Sequence, residues 1–253
     1  MKYLKTMTYF KAKTISQTQL TSDIFLLKLR VSGQNIRPGQ FYMLKSWGDE
    51  DALPLMRPIS VYRYEEGCLE FLYRLVGKGT GKLSKLKRGG EVELLGPLGN
   101  GFPCREVKGN IALVGGGIGI PPLYETAKLL KSLGNNVDAY LGFKDCTFLI
   151  DEFGDVCDQL FIACEDGSEG YQGFVTELVK HENYDAIFTC GPDAMMYNLL
   201  ENSKVNPSKI WLSMEQRMGC GIGACLTCNC ETNNGIKRCC KDGPVFNGAE
   251  VIQ

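Results

Sequence analysis

Ile111-Ala112-Leu113-Val114-Gly115-Gly116-Gly117-Ile118-Gly119-Ile120-Pro121-Pro122 is the stretch on which the fold turns. Four apolar residues in a row read as a strand covered on both faces, the pattern of a parallel sheet. Glycines follow, and small residues there let backbone N–H groups and a helix N-terminus approach a phosphate. Residues 121–130 then read as a helix, with proline at its start, where no hydrogen bond is lost, and Gly134 past its end. The loop is not G-x-G-x-x-G, because Ile120 stands where the third glycine would be. Its plain alternative is a tight turn that packs the helix on the strand.

Downstream, residues 137–141, 160–163, 186–189 and 210–213 are further strand candidates, with helical segments near 174–180 and 194–203. Strands alternating with helices imply a doubly wound parallel sheet. Cys190-Gly191-Pro192 closes one of these strands at its carboxyl end, which faces the ligand crevice in such sheets. A buried structural thiol is the other reading of Cys190. His181 stands between Lys180 and Glu182-Asn183 and reads as a solvated helix end without a catalytic role.

Upstream, residues 24–31, 41–44, 59–62, 69–74 and 91–95 are short strand candidates, and Glu65-Glu66-Gly67 is a hairpin turn signal. Strands at this spacing predict an antiparallel β-barrel. Arg57-Pro58-Ile59-Ser60 precedes one of them. Arginine can pair with a pyrophosphate, and a serine hydroxyl or backbone N–H can bond a flavin edge, although an ordinary surface turn fits the same letters. Gly77-Lys78-Gly79-Thr80-Gly81 is either a second phosphate-contacting loop or a flexible turn. Tyr73 and Arg74 either meet a dinucleotide or simply occupy a strand.

The C-terminal region carries the sharpest signal. Cys220, Cys225 and Cys228 form the C-x4-C-x2-C run of plant-type [2Fe–2S] proteins, which needs one more cysteine, and Cys239 and Cys240 follow. Glycines around Cys220 let the loop wrap tightly and free N–H groups to face sulfur. Tetrahedral zinc is the main competitor, but zinc ribbons usually show two C-x-x-C knuckles and only Cys225/Cys228 makes one; disulfides are the other alternative. Neighbouring residues in an extended segment point to opposite sides, so Cys239 and Cys240 are not both expected on one cluster.

Composition bounds the rest. The chain has 253 residues, enough for two domains and a small module, and a net charge of −1, which offers no basic field for nucleic acid. No apolar stretch is long enough to span a bilayer. Met1-Lys2-Tyr3-Leu4-Lys5-Thr6 lacks the apolar core of an export signal, so the 12 cysteines point to a reducing cytoplasm. Most of those outside the cluster region (Cys68, Cys104, Cys146, Cys157, Cys164, Cys190) are expected to be buried thiols.

The order of these motifs resembles the ferredoxin–NADP reductase superfamily. Residues 214–225 and Cys240-Lys241-Asp242-Gly243-Pro244-Val245-Phe246 resemble the electron-transfer subunits of class 1B dihydroorotate dehydrogenase. That likeness extends over essentially the whole chain, including Gly96-Pro97-Leu98-Gly99-Asn100-Gly101-Phe102 and Asp166-Gly167-Ser168. The resemblance implies an FAD-binding β-barrel over residues 1–106, an NAD-binding α/β domain over 107–213 and a [2Fe–2S] module over 214–253. It implies FAD contacts at Arg57, Pro58, Ile59, Ser60, Leu72, Tyr73, Arg74, Gly79 and Thr80. The nucleotide loop would be Gly115, Gly116, Gly117 and Gly119, and the cluster ligands Cys220, Cys225, Cys228 and Cys240, with Cys239, Cys230 and Cys190 left spare. The family's FAD divides a hydride's two electrons into single steps through the cluster. A separate FMN-bearing catalytic subunit oxidises dihydroorotate, in a heterotetramer of two copies of each chain, with electrons passing on to NAD+ in pyrimidine synthesis. NAD(P)H:acceptor reductase subunits of hydrogenase or ferredoxin reductase complexes are a related alternative, and a zinc or redox-sensing protein without enzymatic function is an unrelated one.

Overall fold

The computed structural model describes residues 7–65 and 67–251. The first six residues, read above for an export signal, and Glu66 of the hairpin turn lie outside the described residues. The chain begins with an antiparallel sheet of β1 (Thr8–Gln19), β2 (Ile24–Arg30), β3 (Phe41–Lys45), β4 (Arg57–Ser60), β5 (Arg63–Glu65), β6 (Cys68–Arg74) and, after helix α1 (Lys78–Leu83), β7 (Glu91–Leu98). Its strand order is β4-β3-β7-β1-β2-β6-β5. One bent segment closes the barrel: residues 57–60 pair with β3, and residues 63–65, almost continuous with them, pair with β6 on the far side. Leu27, Leu29, Tyr42, Leu44, Phe71 and Leu94 fill the interior.

β1 has no counterpart in the sequence reading, although it is a central strand. Its residues interleave lysines and hydroxyls, and only Ala12 and Thr14 are fully buried, so no apolar run marks it. Helix α1 replaces the expected loop at 77–81. The Thr80 hydroxyl oxygen accepts the N–H groups of Val76 (3.0 Å) and Gly77 (3.1 Å), which starts the helix despite its two glycines.

The second sheet is built from β8 (Asn110–Gly116), α2 (Pro121–Ser132), β9 (Asn136–Phe143), α3 (Ile150–Val156), β10 (Gln159–Cys164), β11 (Tyr171–Gln172), β12 (Ala186–Cys190), α4 (Asp193–Glu201) and β13 (Ile210–Ser213). All of these strand pairs are parallel, so the doubly wound reading holds. The expected helix near 174–180 is only a short 3-10 turn at Val175–Leu178, where two adjacent β-branched residues, Val175 and Thr176, disfavour an α-helix. Helix α3 went unread; Asp151 and Glu152 in its first turn are its local signal. His181 begins another 3-10 turn and is half-buried rather than solvated, and burial pushes its pKa down. Of the scattered cysteines only Cys104 and Cys164 are buried; Cys68, Cys157 and Cys190 are partly exposed and Cys146 is exposed.

The C-terminal region contains a hairpin of β14 (Asn229–Thr232) and β15 (Gly235–Arg238), a helical turn α5 (Cys239–Asp242) and β16 (Val245–Asn247). β16 adds to the parallel sheet as an antiparallel edge, with Leu212 opposite Phe246. The region is thus bound to the second sheet by backbone bonds. Among the described residues no helix is long and apolar enough to cross a membrane.

Candidate redox site

β4 carries Arg57, Pro58, Ile59 and Ser60, all half-buried. Successive strand residues face opposite sides. Ile59 packs against the barrel core, while Pro58 lies opposite Met43 on β3 and lines a cleft described below. The Arg57 guanidinium donates to the carbonyls of Leu55 and Met56 and lies 5.3 Å from the Trp47 ring centroid. Among the described residues no carboxylate pairs with it, so its charge is available to an anion. A Cβ on Gly79 would strike the Arg57 side chain, which brings the first turn of α1 against β4. The Thr80 hydroxyl is engaged in starting that helix.

β6 places its residues differently from one another. Tyr73 turns into the barrel core, bonded at 2.6 Å to Gln17 and stacked on Phe25 at 5.9 Å, so its backbone is what remains for a ligand. Leu72 is buried on the opposite face, in the core shared with α2. Arg74 is half-exposed, pairs with Asp23 at 3.1 Å, and brings Nη2 to 3.8 Å from where a Gly117 Cβ would stand. The end of the barrel strand therefore reaches the glycine loop of the second sheet.

That loop follows β8 directly. Gly117–Gly119 form a 3-10 turn and Pro121 opens α2. Pro121 and Pro122 carry no N–H, and the N–H groups of Ile120 and Leu123 donate to the Gly117 and Ile120 carbonyls, so the helix start offers no free N–H and the glycine turn is what is left to face a phosphate. Gly115, Cys190 and Ser213 stand side by side at the carboxyl ends of β8, β12 and β13. Gly191 packs against Gly116 so closely that a Cβ would be 3.0 Å from its nitrogen. Burial pushes the Cys190 thiol up to about 12, partly opposed by a bond to Ser213.

The cysteines fall into two pairs. Cys220 Sγ accepts N–H groups from Ile222 (3.5 Å), Ala224 (3.3 Å) and Cys225 (3.4 Å), and the thiols of Cys220 and Cys225 also bond to each other. The Thr227 hydroxyl, then the Thr227 N–H and Cys220, push the exposed Cys225 thiol down to about 6. Cys228 Sγ accepts the N–H of Cys240 at 3.5 Å, and the two side chains are bonded; burial first, then Cys228, pushes Cys240 up to about 12. Among the described residues no three acid, histidine or thiol groups converge on one point. Two thiol pairs, with N–H groups aimed at sulfur, fit a two-iron cluster with one pair on each iron better than a single tetrahedral ion.

Cys239 is turned away: it is fully buried and its thiol donates to the Met214 carbonyl at 3.1 Å. Cys230 is buried and points to the Lys237 carbonyl. The segment holding Cys239 and Cys240 is a helical turn, not the extended stretch expected, but adjacent residues on a helix also diverge.

Three segments meet at a cleft of about 630 Å³ lined by Leu55 to Pro58, by Gly191, Pro192 and Asp193, and by Glu215 to Met218, which lead to Cys220. The barrel, the second sheet and the cysteine loop each supply one wall. Sequence reading missed Leu55, Met56 and Trp47, which carry no motif, and Thr227 and Arg238. Arg238 ties Asp242 (3.0 Å) to the Gly223 carbonyl (3.3 Å), and so joins the two halves of the cysteine module.

A flavin-type barrel, a nucleotide-type α/β sheet and paired cysteines at their junction define an iron–sulfur reductase of the ferredoxin–NADP reductase class. The structure of an NADH-dependent reduced ferredoxin-NADP oxidoreductase superposes with a TM-score of 0.85 at 31% identity, covering 95% of this chain and 89% of that one. A Neisseria gonorrhoeae ferredoxin NADP+ reductase with bound FAD and NADP shares the fold, with a TM-score of 0.61 at 17% identity over 81% of this chain and 97% of that one. Residues 215–252 match the iron-sulfur cluster binding domain of dihydroorotate dehydrogenase B. The dihydroorotate dehydrogenase B (NAD(+)) electron transfer subunit of Clostridium acetobutylicum is 46% identical over 90% of this chain and 91% of its own length. That of Clostridium perfringens is 42% identical over 97% and 98%. The chain belongs to the family of dihydroorotate dehydrogenase B electron transfer subunits.

Proposed function

We propose that this chain carries electrons between a dihydroorotate-oxidising catalytic subunit and NAD+, with FAD in the barrel cleft and [2Fe–2S] on Cys220, Cys225, Cys228 and Cys240. The observation that carries this reading is the cleft whose walls come from β4, from Cys190-Gly191-Pro192 and from the segment entering Cys220. When bound, FAD exchanges two electrons as a hydride with NAD(H) and single electrons with the cluster.

The chain's own groups have separable tasks. Arg57, without a carboxylate partner among the described residues, holds the FAD pyrophosphate, with Gly79 and Thr80 beside it. Pro58, Ile59 and Ser60 and the backbone of Leu72 and Tyr73 position the flavin, and Arg74 adds charge where the barrel meets the nucleotide loop. Gly115, Gly116, Gly117 and Gly119 keep side chains away from the NAD phosphates and let the backbone of the glycine turn approach them. The N–H groups on Cys220 Sγ and the Thr227 bond to Cys225 favour the thiolate forms that bind iron. The division at residues 1–106, 107–213 and 214–253 follows these tasks, although β16 shares the second sheet.

The partner carries FMN and assembles as two copies of each chain, in the cytoplasm. Its face on this chain surrounds the cysteine loop, where Ile222 (43%) and Leu226 (57%) are the exposed apolar side chains. A reductase serving another acceptor is the second reading, favoured by the likeness to the ferredoxin-NADP oxidoreductase.

The purified chain is expected to be coloured by flavin and iron–sulfur absorption and to reduce dyes with NADH, without oxidising dihydroorotate. Adding the FMN-binding catalytic subunit should give dihydroorotate-dependent NAD+ reduction. A colourless chain would sink the cofactor reading, and a complex that passes no electrons from dihydroorotate to NAD+ would favour the second reading.

A further inference from the structure

Residues 98–102 are where barrel, second sheet and cysteine module meet. Leu98 at the end of β7 is buried in one core with Cys228, Cys239 and Cys240. Phe102 stacks on Phe188 of β12 with ring centroids 5.0 Å apart. Between them, Asn100 bonds three carbonyls of the turn that follows Cys240. Its backbone N–H donates to Gly243 (2.8 Å), and its Nδ2 donates to Asp242 (2.8 Å) and Val245 (3.4 Å). Among the described residues the buried Oδ1 atom has no partner, so the amide serves there through its donors.

Two close approaches accompany these bonds. A Cβ on Gly99 would lie 2.5 Å from Pro244 Cδ, and a Cβ on Gly221 would lie 2.7 Å from Met43 Cγ. Met43 stands opposite Pro58 of β4 across the ladder. The module is therefore seated on the β3–β7 side of the barrel at two points, one next to Cys220 and one just past Cys240. Neither point leaves room to shift toward the barrel. Against movement away from it, Asn100 supplies side-chain bonds that cross from barrel to module.

We propose that Asn100 is a positioning residue that sets where the cluster sits relative to the flavin barrel, acting through the carbonyls of Asp242, Gly243 and Val245. The inference rests on the functional reading above. Electron exchange between two bound groups depends on their fixed separation and orientation. Moving the cluster away from the barrel lengthens the electron path to the flavin and slows the exchange.

The test uses the full chain with FAD and cluster, comparing Asn100→Ala and Asn100→Asp with the unsubstituted protein. Asn100→Asp keeps the shape but faces two carbonyls with oxygen in place of N–H. Stopped-flow absorbance follows bleaching of the cluster by NADH, in which one NADH becomes NAD+ and a proton for every two clusters that each take one electron. In both variants flavin content, iron content and NADH-dependent dye reduction should stay within about twofold, while cluster bleaching slows by about threefold or more. Hydrogen–deuterium exchange over residues 240–247 should rise in both. Unchanged bleaching and unchanged exchange in variants with full cofactor content would overturn the assignment. If a variant loses iron, exchange measured on the cofactor-free chains decides, and equal exchange with and without Asn100 overturns the proposal. Failure of the functional reading is distinguishable, because it would show as missing flavin or cluster in the unsubstituted chain.

Discussion

The loops at 115–119 and 219–224 are both glycine-rich and both lie at the ligand-facing end of the molecule, yet they need glycine for different reasons. Gly119 is buried, and a Cβ there would stand 2.5 Å from the Cys190 carbonyl oxygen, so its absence of side chain is a packing requirement imposed by β12. Gly221 has φ of +72° and Gly223 of +83°, a conformation that turns the N–H groups of Ile222, Ala224 and Cys225 toward one sulfur. The first loop is held by its neighbours in the sheet. The second takes its shape from its own backbone, although Gly221 also packs closely on Met43, and it leaves Ile222 and Leu226 at the surface. Rigidity borrowed from a sheet suits a phosphate cradle, whereas a self-shaped loop can reach the surface and meet a partner.

The largest test of this contrast removes a thiol. Cys240→Ser should abolish or strongly alter the electron paramagnetic resonance signal of the reduced cluster while NADH-dependent dye reduction persists. Cys239→Ser should leave iron content and signal nearly intact, since serine can keep the bond to the Met214 carbonyl. The reverse pattern would exchange the two roles. Next in size, Arg57→Ala should weaken FAD retention by about 1.5–3 kcal/mol, the worth of a hydrogen bond to a charged group, without loss of iron. Equal flavin affinity in a titration would remove Arg57 from the site.

Gly119→Ala should disturb the nucleotide loop by about 1–3 kcal/mol, the usual cost of overpacking. Its signature is a raised KM for NADH with an unchanged cluster signal, and an unchanged KM would show that the contact with Cys190 is slack. The smallest effect is expected at the surface. Ala224→Glu carries a charge into the expected partner face and should weaken assembly about tenfold, leaving dye reduction by NADH alone intact. Parallel loss of both activities in an intact complex would place the interface elsewhere.

Much of the site is legible in the letters because its chemistry is local. The C-x4-C-x2-C run confines three thiols to nine positions, and the β8 run followed by glycines and proline marks a strand, turn and helix within twelve residues. Features that depend on partners distant in sequence are not legible. β1 carries no apolar run, because few of its side chains are buried and backbone bonds to β2 and β7 on either side hold it in place. Trp47 beneath Arg57 and Thr227 beside Cys225 have no motif of their own. Helix α1 hides behind two glycines because Thr80 supplies the bonds that start it.

From sequence alone came the two architectures, the order of the three parts and the ligand-bearing motifs, since hydrophobic period, turn residues and cysteine spacing act over a few residues. Only the tertiary structure decided how those parts face one another. It placed Arg74 beside Gly117, closed the barrel with one bent segment, joined β16 to the second sheet, and set Asn100 across the turn after Cys240. These contacts link residues separated by up to about 145 positions, and no local preference encodes them. They form because burying the faces of both sheets leaves one junction at which barrel, nucleotide sheet and cysteine module must all satisfy their backbone groups.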